Sequence, residues 1–138
     1  MGKVSVDSIV VTPLKQIYAL GGDVMHAMKC SDTGFVDFGE AYFSTVNKGE
    51  TKGWKKHTRM TLNIVVPIGA IDFVIYNEKS KQYFRVTLSN KNYQRLTINP
   101  DLWVSFTGVK ESNMLLNIAN IEHDLNESFN IDLDAFNY

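Results

Sequence analysis

The feature that most constrains the fold is a succession of short runs of β-branched and aromatic residues, separated by turn-forming residues. No window of helical length carries a convincing apolar stripe, and "NIEHDLNESF" could hold one short helical turn at most. The pattern predicts an all-β antiparallel sandwich or barrel, with helix in less than about a tenth of the chain. The runs are "KVSVDSIVVTPL", "EAYFSTV", "RMTLNIVV", "AIDFVIYN", "YFRVTL", "YQRLTI", "LWVSFTGV" and "MLLNIANIE".

Length and composition narrow the class of protein. A chain of 138 residues fits one domain, spanning residues 1–138, and its 44% apolar content can build a core. A net charge of -1 gives no overall attraction to nucleic acid or to an anionic membrane. Cys30 is the one cysteine, which excludes an intrachain disulfide and a multi-cysteine zinc site. Without a leader-like segment or a membrane-spanning apolar run, we expect a cytoplasmic protein.

One stretch, "GWKKHTRMTLNIVVPIG" at residues 53–69, combines a basic patch with an apolar strand. Even spacing predicts one polar face, made of Lys55, His57, Arg59, Thr61 and Asn63. That face is either a solvated rim or the lining of a pocket for a polar, anionic ligand. Polar groups that point into a barrel are costly unless they are hydrogen-bonded or bind a ligand. The pocket is therefore favoured for Arg59 and Asn63, which lie further into the apolar run.

The preceding Trp54 is expected in the core or at a dimer contact, and Lys56 shares the rim-or-pocket ambiguity of Lys55. A nucleic-acid site built from these cations is disfavoured by the acidic balance of the rest of the chain.

Three segments resemble dTDP-4-dehydrorhamnose 3,5-epimerases over about residues 35–127. "EAYFSTVNKGETKGWKKH" is similar to the family's approach to "RGLH", and "LSNKNYQRLTINPDLWVSFTGV" to its "LS-x-x-N-x-x-x-L-x-I-P-x-G-F-x-H-G-F". "LLNIANIEHDLNE" corresponds to the "YKxTxYYxPE" strand. The resemblance implies a cupin-type double-stranded β-helix, an antiparallel jelly-roll barrel. It also implies a nucleotide-linked 4-keto-6-deoxy sugar as substrate and a homodimer formed through N-terminal strands, here about residues 1–48.

Three catalytic positions of that family are substituted in this chain. Lys55 stands at the position of the histidine base, Val104 at a second histidine, and Leu116 at the tyrosine acid. His57 lies two residues beyond the base position on the same predicted face.

A different acid–base set is therefore predicted. Histidine titrates near neutral pH, so His57 is a candidate base, with Lys55 as the other candidate. The competing interpretation of His57 is a structural histidine bonded to backbone. Asp132 and Asp134 are candidates for a carboxylate that orients the imidazole by a hydrogen bond. His123 is expected in a turn. The predicted substrate-binding residues are Arg59, Asn63, Lys56, Trp103 and Asn117.

No metal or cofactor is expected. Metal-dependent cupins use H-x-H, an acid and a later histidine, whereas this stretch supplies His57 alone and Val104 at the later position. Phosphate-loop, dinucleotide and G-x-S-x-G motifs are absent from the sequence.

Two functional hypotheses follow. The first is a metal-free epimerase or keto-isomerase of a nucleotide-linked deoxysugar in surface-polysaccharide synthesis. The second is a non-catalytic cupin that binds the sugar nucleotide, or serves a partner enzyme, without the family's acid–base groups. The groups available for acid–base chemistry at Lys55, His57 and Arg59 favour the enzyme.

Overall fold

The computed structural model describes residues 9–136. Within that range the chain forms two five-stranded antiparallel sheets and a separate two-stranded hairpin. In spatial order, sheet 1 contains β1 (Ile9–Pro13), β9 (Gln94–Ile98), β6 (Leu62–Ile68), β11 (Met114–Ala119) and β4 (Glu40–Thr45). Sheet 2 contains β12 (Ser128–Asn130), β5 (Thr51–His57), β10 (Trp103–Gly108), β7 (Ala70–Asn77) and β8 (Gln82–Ser89). The hairpin pairs β2 (Gln16–Ile17) with β3 (Val24–Met25).

The main core lies between the two sheets and follows from the two-residue period of the strands. In β6, Leu62 and Ile64 are buried in this core, and in β7 Ile71 and Phe73 do the same from the opposite sheet. Each sheet therefore buries one apolar face against the other, which is the arrangement of a jelly roll. The sheets share this core without closing into one continuous hydrogen-bonded barrel.

A second apolar cluster lies on the outer face of sheet 2. Trp54, Val74 and Trp103 are its buried members, and we call this group the outer aromatic cluster. Residues 124–136, which we call the C-terminal strap, cover part of it with Ile131 and Phe136. The strap contains β12 and a 3-10 turn at Leu133–Ala135.

Part of the outer face of sheet 1 is polar and buried, because the segment of residues 26–39 contacts it. Arg95 is fully buried there and donates to the carbonyl oxygens of Ala27 and Thr33 at 2.8 and 2.9 Å. It also lies 3.3 Å from a carboxylate oxygen of Asp32. A Cβ at Gly34 (φ +96°) would stand 2.6 Å from the Thr97 hydroxyl, so this close approach requires glycine. We call Arg95, Asp32 and their carbonyl partners the Arg95 cluster.

The all-β antiparallel jelly-roll prediction is confirmed. Each of the eight predicted runs contains a strand, although residues 3–8 of the first run lie outside the described residues. The described part of the chain has no α-helix, and "NIEHDLNESF" contains a turn followed by the start of β12. Between residues 9 and 136, no helix is long and apolar enough to cross a membrane.

Candidate active site

A cavity of about 340 Å³ opens between the two sheets. That volume is at the lower end of the range for small-molecule sites. Its floor is apolar and its walls carry cations, a hydroxyl, amides and an imidazole. Sheet 1 contributes Tyr42, Ser44, Leu62, Ile64, Leu115 and Asn117, and sheet 2 contributes Lys52, Gly53, Lys55, His57, Val104, Phe106 and Asn130.

Strand β5 places the cations and the imidazole in this cavity. Lys55 and His57 alternate with Trp54 and Lys56, so the first pair lines the cavity while the second pair contacts the outer aromatic cluster. A Cβ at Gly53 (φ +140°) would lie 2.7 Å from the Cβ of a serine in β10. Glycine is therefore needed for β5 to approach β10 closely at this point.

The imidazole of His57 is held by a buried carboxylate. Its Nδ1 lies 2.6 Å from Oε1 of Glu127, and the two residues are 8% and 2% exposed. The other carboxylate oxygen of Glu127 accepts the backbone N–H groups of Arg59 and Met60, both at 3.0 Å. Both oxygens of Glu127 therefore have donors, and the carboxylate cannot rotate away without losing them.

These contacts fix the protonation state of the carboxylate. Burial alone would raise the pKa of Glu127, but the His57 hydrogen bond and the two backbone N–H donors outweigh burial and hold the pKa below its ordinary value of 4.5. An ionised carboxylate only accepts hydrogen bonds, so Nδ1 of His57 carries a proton. In the neutral imidazole, Nε2 is then the basic nitrogen. This is the arrangement of a general base with an orienting carboxylate.

Tyr42 and Asn117 supply polar groups from the other wall. The Asn117 amide nitrogen donates to the Tyr42 hydroxyl oxygen at 3.0 Å, while the Asn117 carbonyl oxygen accepts the backbone N–H of Asn63 at 3.1 Å. Because the tyrosine oxygen accepts this bond, its own hydrogen remains to be donated to another group. The wall thus offers an O–H donor in the same cavity as the imidazole.

The prediction of one continuous polar face from Lys55 to Asn63 was wrong. Strand β5 ends at His57 and β6 begins at Leu62, and the intervening residues bend, so the even spacing is interrupted. Arg59 therefore lies outside the cavity lining, exposed, with its guanidinium 2.7 Å from an Asp124 carboxylate oxygen.

Asn63 lies in β6 beside two cavity residues but is not part of the lining. Its amide nitrogen donates to the Gly34 carbonyl at 3.0 Å, and its carbonyl oxygen accepts the Thr97 hydroxyl at 2.6 Å. The side chain thus joins sheet 1 to the segment that covers it. Asn63 was predicted to line the pocket, whereas its buried amide makes its hydrogen bonds on the outer face of sheet 1.

Lys56 and Trp103 lie together on the outer face of sheet 2. The Lys56 ammonium sits 5.1 Å from the Trp103 ring centroid, and the indole N–H donates to Glu78 at 2.7 Å. Of the seven predicted site residues, the structure brings Lys55, His57 and Asn117 into the cavity and leaves Arg59, Asn63, Lys56 and Trp103 outside its lining.

The chain matches no protein-family model and no curated protein. Solved structures do match it. A dTDP sugar isomerase from Desulfovibrio desulfuricans is 34% identical, with a TM-score of 0.88 over 92% of this chain and 85% of that one. The chain belongs to the dTDP-sugar isomerase and epimerase family of cupins. The resemblance inferred from the three sequence segments is confirmed.

More distant members of this family share the fold. The 3,4-ketoisomerase QdtA from Thermoanaerobacterium thermosaccharolyticum, in complex with TDP-4-keto-6-deoxyglucose, is 20% identical with a TM-score of 0.77, covering 88% of this chain and 86% of that one. The dTDP-6-deoxy-D-glucose-3,5-epimerase RmlC from Legionella pneumophila is 16% identical with a TM-score of 0.82, covering 95% and 76%.

In this dTDP-sugar cupin, the sequence prediction missed the carboxylate that orients the imidazole. Asp132 and Asp134 are exposed at the 3-10 turn, whereas Glu127 makes the bond to His57. Glu127 is the last residue of "LLNIANIEHDLNE", which was matched to a family segment that also ends in glutamate, so a signal for it was present. His123 is exposed in the connection after β11, and its backbone N–H donates to Glu40.

The prediction also omitted Tyr42, Lys52 and Asn130, which come from two edge strands and one end of β5. Of the substituted family positions, Val104 lines the cavity and Leu116 does not, because its neighbours Leu115 and Asn117 point inward instead. Across residues 9–136, no three His, Cys, Asp or Glu side chains are grouped so that they could hold a metal ion.

Proposed function

We propose that this chain isomerises or epimerises a dTDP-linked 4-keto-6-deoxyhexose, with His57 as the general base. The observation that carries the proposal is the imidazole held through Nδ1 by Glu127 in a cavity that also contains Lys55 and the Tyr42 hydroxyl. The family relationship supports the substrate class, since the related isomerase is described as acting on a dTDP sugar.

The chemistry begins at a carbon beside the ketone. Nε2 of His57 takes the proton, the C–H electron pair forms a C=C bond, and the carbonyl electrons move onto oxygen to give an enolate. The Tyr42 O–H donates to that oxygen. Delivery of a proton to the opposite face of the same carbon gives an epimer. For a keto-isomer, the proton goes instead to the carbon that carried the ketone, and the oxygen of that carbon keeps the proton from Tyr42. The hydroxyl on the first carbon then becomes the new carbonyl, and its proton replaces the one that Tyr42 gave.

The cations of β5 suit the diphosphate of the substrate. Lys55 is half-buried in the lining, and Lys52 lies nearer the solvent, where its ammonium donates to the Thr45 carbonyl at 2.6 Å. Two ammonium groups on one wall attract a dianionic group and leave the apolar floor for the 6-deoxy part of the sugar.

Incubation with dTDP-4-keto-6-deoxyglucose in heavy water tests this function. We expect deuterium at a carbon beside the ketone and a new sugar product, both detected by proton NMR. Calorimetric titration with dTDP and with the sugar nucleotide measures binding separately. Absence of both binding and exchange would overturn the proposal.

The second candidate is a cupin that binds the sugar nucleotide without turning it over. Its support is the loss of three family catalytic positions, at Lys55, Val104 and Leu116. Binding without deuterium exchange in the same experiment would select this candidate.

We also propose a homodimer formed through N-terminal strands. The support is exposed apolar area in the N-terminal part of the chain. Tyr18, Leu20 and Val24 are 72, 110 and 53% exposed, Phe38 just before edge strand β4 is 60% exposed, and Phe43 within β4 is 65% exposed. Such area is commonly covered by association. Light scattering at micromolar concentration should give twice the chain mass, and Phe43→Glu should lower it; a monomer mass for the wild type would reject the dimer.

The proposed location is the cytoplasm, and the proposed use of the product is surface-polysaccharide synthesis. The free, exposed thiol of Cys30 suits a reducing compartment. Cell fractionation and sugar analysis of a strain lacking the protein test these two points.

A further inference from the structure

The C-terminal strap pairs with β5 at the edge of sheet 2 through β12, and its end then folds over the face of β5 that points away from the cavity. Strand β12 pairs with β5 in the register Ser128↔His57. Trp54 and Ile131 extend this pairing with reciprocal backbone hydrogen bonds of 3.2 and 3.3 Å. The Trp54 indole N–H then reaches the Leu133 carbonyl at 3.1 Å, beyond the end of the strand.

The end of the strap is anchored by one aromatic side chain. The Phe136 ring centroid lies 5.2 Å from that of Trp54, 4.3 Å from that of Tyr76 and 5.9 Å from that of Trp103. Trp54 is fully buried by these contacts. Aromatic pairs of this kind add stabilisation beyond the area they bury.

Glu127, the partner of His57, is carried on the same strap, directly before β12. The Glu127 carbonyl accepts the backbone N–H and the hydroxyl of Thr58, both at 2.8 Å, so the pairing with β5 fixes where its carboxylate reaches. Strand β12 is only three residues long, and two of them are exposed. A short pairing at a sheet edge holds a strand weakly, and the ring contacts of Phe136 at the far end of the strap add to the contacts that keep this register.

We propose that Trp54 and Phe136 form an aromatic clasp that positions Glu127 against His57 from outside the cavity. The clasp lies on the outer face of β5. The imidazole of His57 lies on the inner face of the same strand, three residues from Trp54. Phe136 is thus a positioning residue that acts through Glu127. The role in catalysis rests on the proposed function of His57, whereas the positioning itself does not.

The test uses the full-length protein with isotope-labelled histidine. The ring N–H proton of a hydrogen-bonded Nδ1 exchanges slowly with water and gives a low-field NMR signal. Since the chain has three histidines, loss of this signal in His57→Asn assigns it. In Phe136→Ala we expect the signal to broaden or disappear. Turnover of the sugar nucleotide should fall about ten- to hundredfold through kcat, as misplacement by about an ångström does elsewhere, with KM unchanged.

Three further variants provide a control and a graded series. Leu133→Ala changes an exposed side chain of the same strap and should leave both the signal and kcat at wild-type values. Phe136→Leu keeps apolar bulk and should restore most of both. Trp54→Phe removes the indole donor to Leu133 and should lie between wild type and Phe136→Ala.

The proposal is overturned if Phe136→Ala keeps a sharp Nδ1–H signal, or if Leu133→Ala loses it to the same extent. If Phe136→Ala unfolds, as judged by circular dichroism, the graded response of Phe136→Leu and Trp54→Phe decides instead. The NMR signal is measured without substrate, so it decides the positioning even if no dTDP sugar is turned over and the proposed function fails.

Discussion

Two buried polar clusters in this protein look alike in composition and differ in which atoms they leave available. The Arg95 cluster directs its guanidinium NH₂ groups to backbone carbonyls and Asp32 beneath the segment that covers sheet 1. The His57–Glu127 pair uses Nδ1 and both carboxylate oxygens, and leaves Nε2 of a residue that lines the cavity. Burial and charge therefore do not identify a site by themselves. The Arg95 cluster also has an unpaired atom, the buried Nε of Arg95, but Arg95 does not line the cavity. A site requires an unpaired reactive atom on a residue that lines a cavity.

The largest expected effect separates the two clusters by stability. Arg95→Met removes a fully buried cation and takes its hydrogen bonds from the carbonyls of Ala27 and Thr33 and from the Asp32 carboxylate. We expect the free energy of unfolding to fall by about 3 kcal/mol, the scale for losing the hydrogen bonds of a buried charged group. Denaturant titration at neutral pH measures this loss.

The comparison also predicts that Arg95→Met retains the wild-type kcat per folded molecule at 25 °C. The Arg95 cluster and the cavity lie on opposite faces of sheet 1, so no reacting group depends on it directly. A large drop in kcat without a loss of stability would mean that the two clusters are not separate.

The second prediction concerns the pH dependence of stability through Glu127. Its pKa is lowered in the folded state, so its contribution is fully present above the ordinary pKa of 4.5 and is lost as pH falls through the lower folded value. Wild-type stability should therefore decline below about pH 4.5, and part of this slope should be absent in Glu127→Gln.

Glu127→Gln should also be less stable at neutral pH. The glutamine amide would place an NH₂ group against the backbone N–H donors of Arg59 and Met60, or against Nδ1 of His57. We expect this pairing of donor with donor to lower the free energy of unfolding by about 2 kcal/mol. Thermal unfolding of both proteins between acid and neutral pH checks both effects. If the stability of the wild type and that of Glu127→Gln changed with pH in parallel, the Glu127 carboxylate would not gain its charge-dependent contacts in the folded state.

The third prediction distinguishes a cation inside the cavity from one outside it. Lys55→Met should weaken binding of dTDP and of the sugar nucleotide by about 1.5 kcal/mol, roughly tenfold, because it removes a charged donor from the lining. Arg59→Met is the matched control: its guanidinium is exposed and paired with Asp124, so binding should be unchanged. A larger loss of affinity in Arg59→Met than in Lys55→Met would contradict this prediction. It would place the anion site at the exposed surface beyond the end of β5.

The fold was predictable from sequence to the extent that it depends on local pattern. Strand β11 shows the two-residue alternation of one buried face, and the three family-like segments predicted the jelly roll. The alternation failed after His57, where four residues outside either strand, two of them in a bend, separate β5 from β6 and move Arg59 and Asn63 away from the cavity. A regular spacing in sequence says nothing about where a strand ends.

The site was predictable only in part, since it is assembled from distant segments. His57 was identified by its chemistry, and Lys55 and Asn117 by their strand positions. Glu127 lies 70 residues from His57 and meets it through the pairing of β12 with β5, a strand too short and polar to predict. Tyr42 enters from an edge strand whose neighbours are set by topology and not by local pattern.

The assignment of the base is tested most directly by deuterium wash-in at the carbons beside the ketone of the sugar nucleotide. The rate is followed by NMR for the wild type, His57→Asn and Lys55→Met under saturating substrate. We expect His57→Asn to slow exchange by roughly 10²–10⁴-fold, the contribution of a general base, while Lys55→Met retains exchange. Exchange that survives His57→Asn and disappears in Lys55→Met would contradict the account and make Lys55 the base.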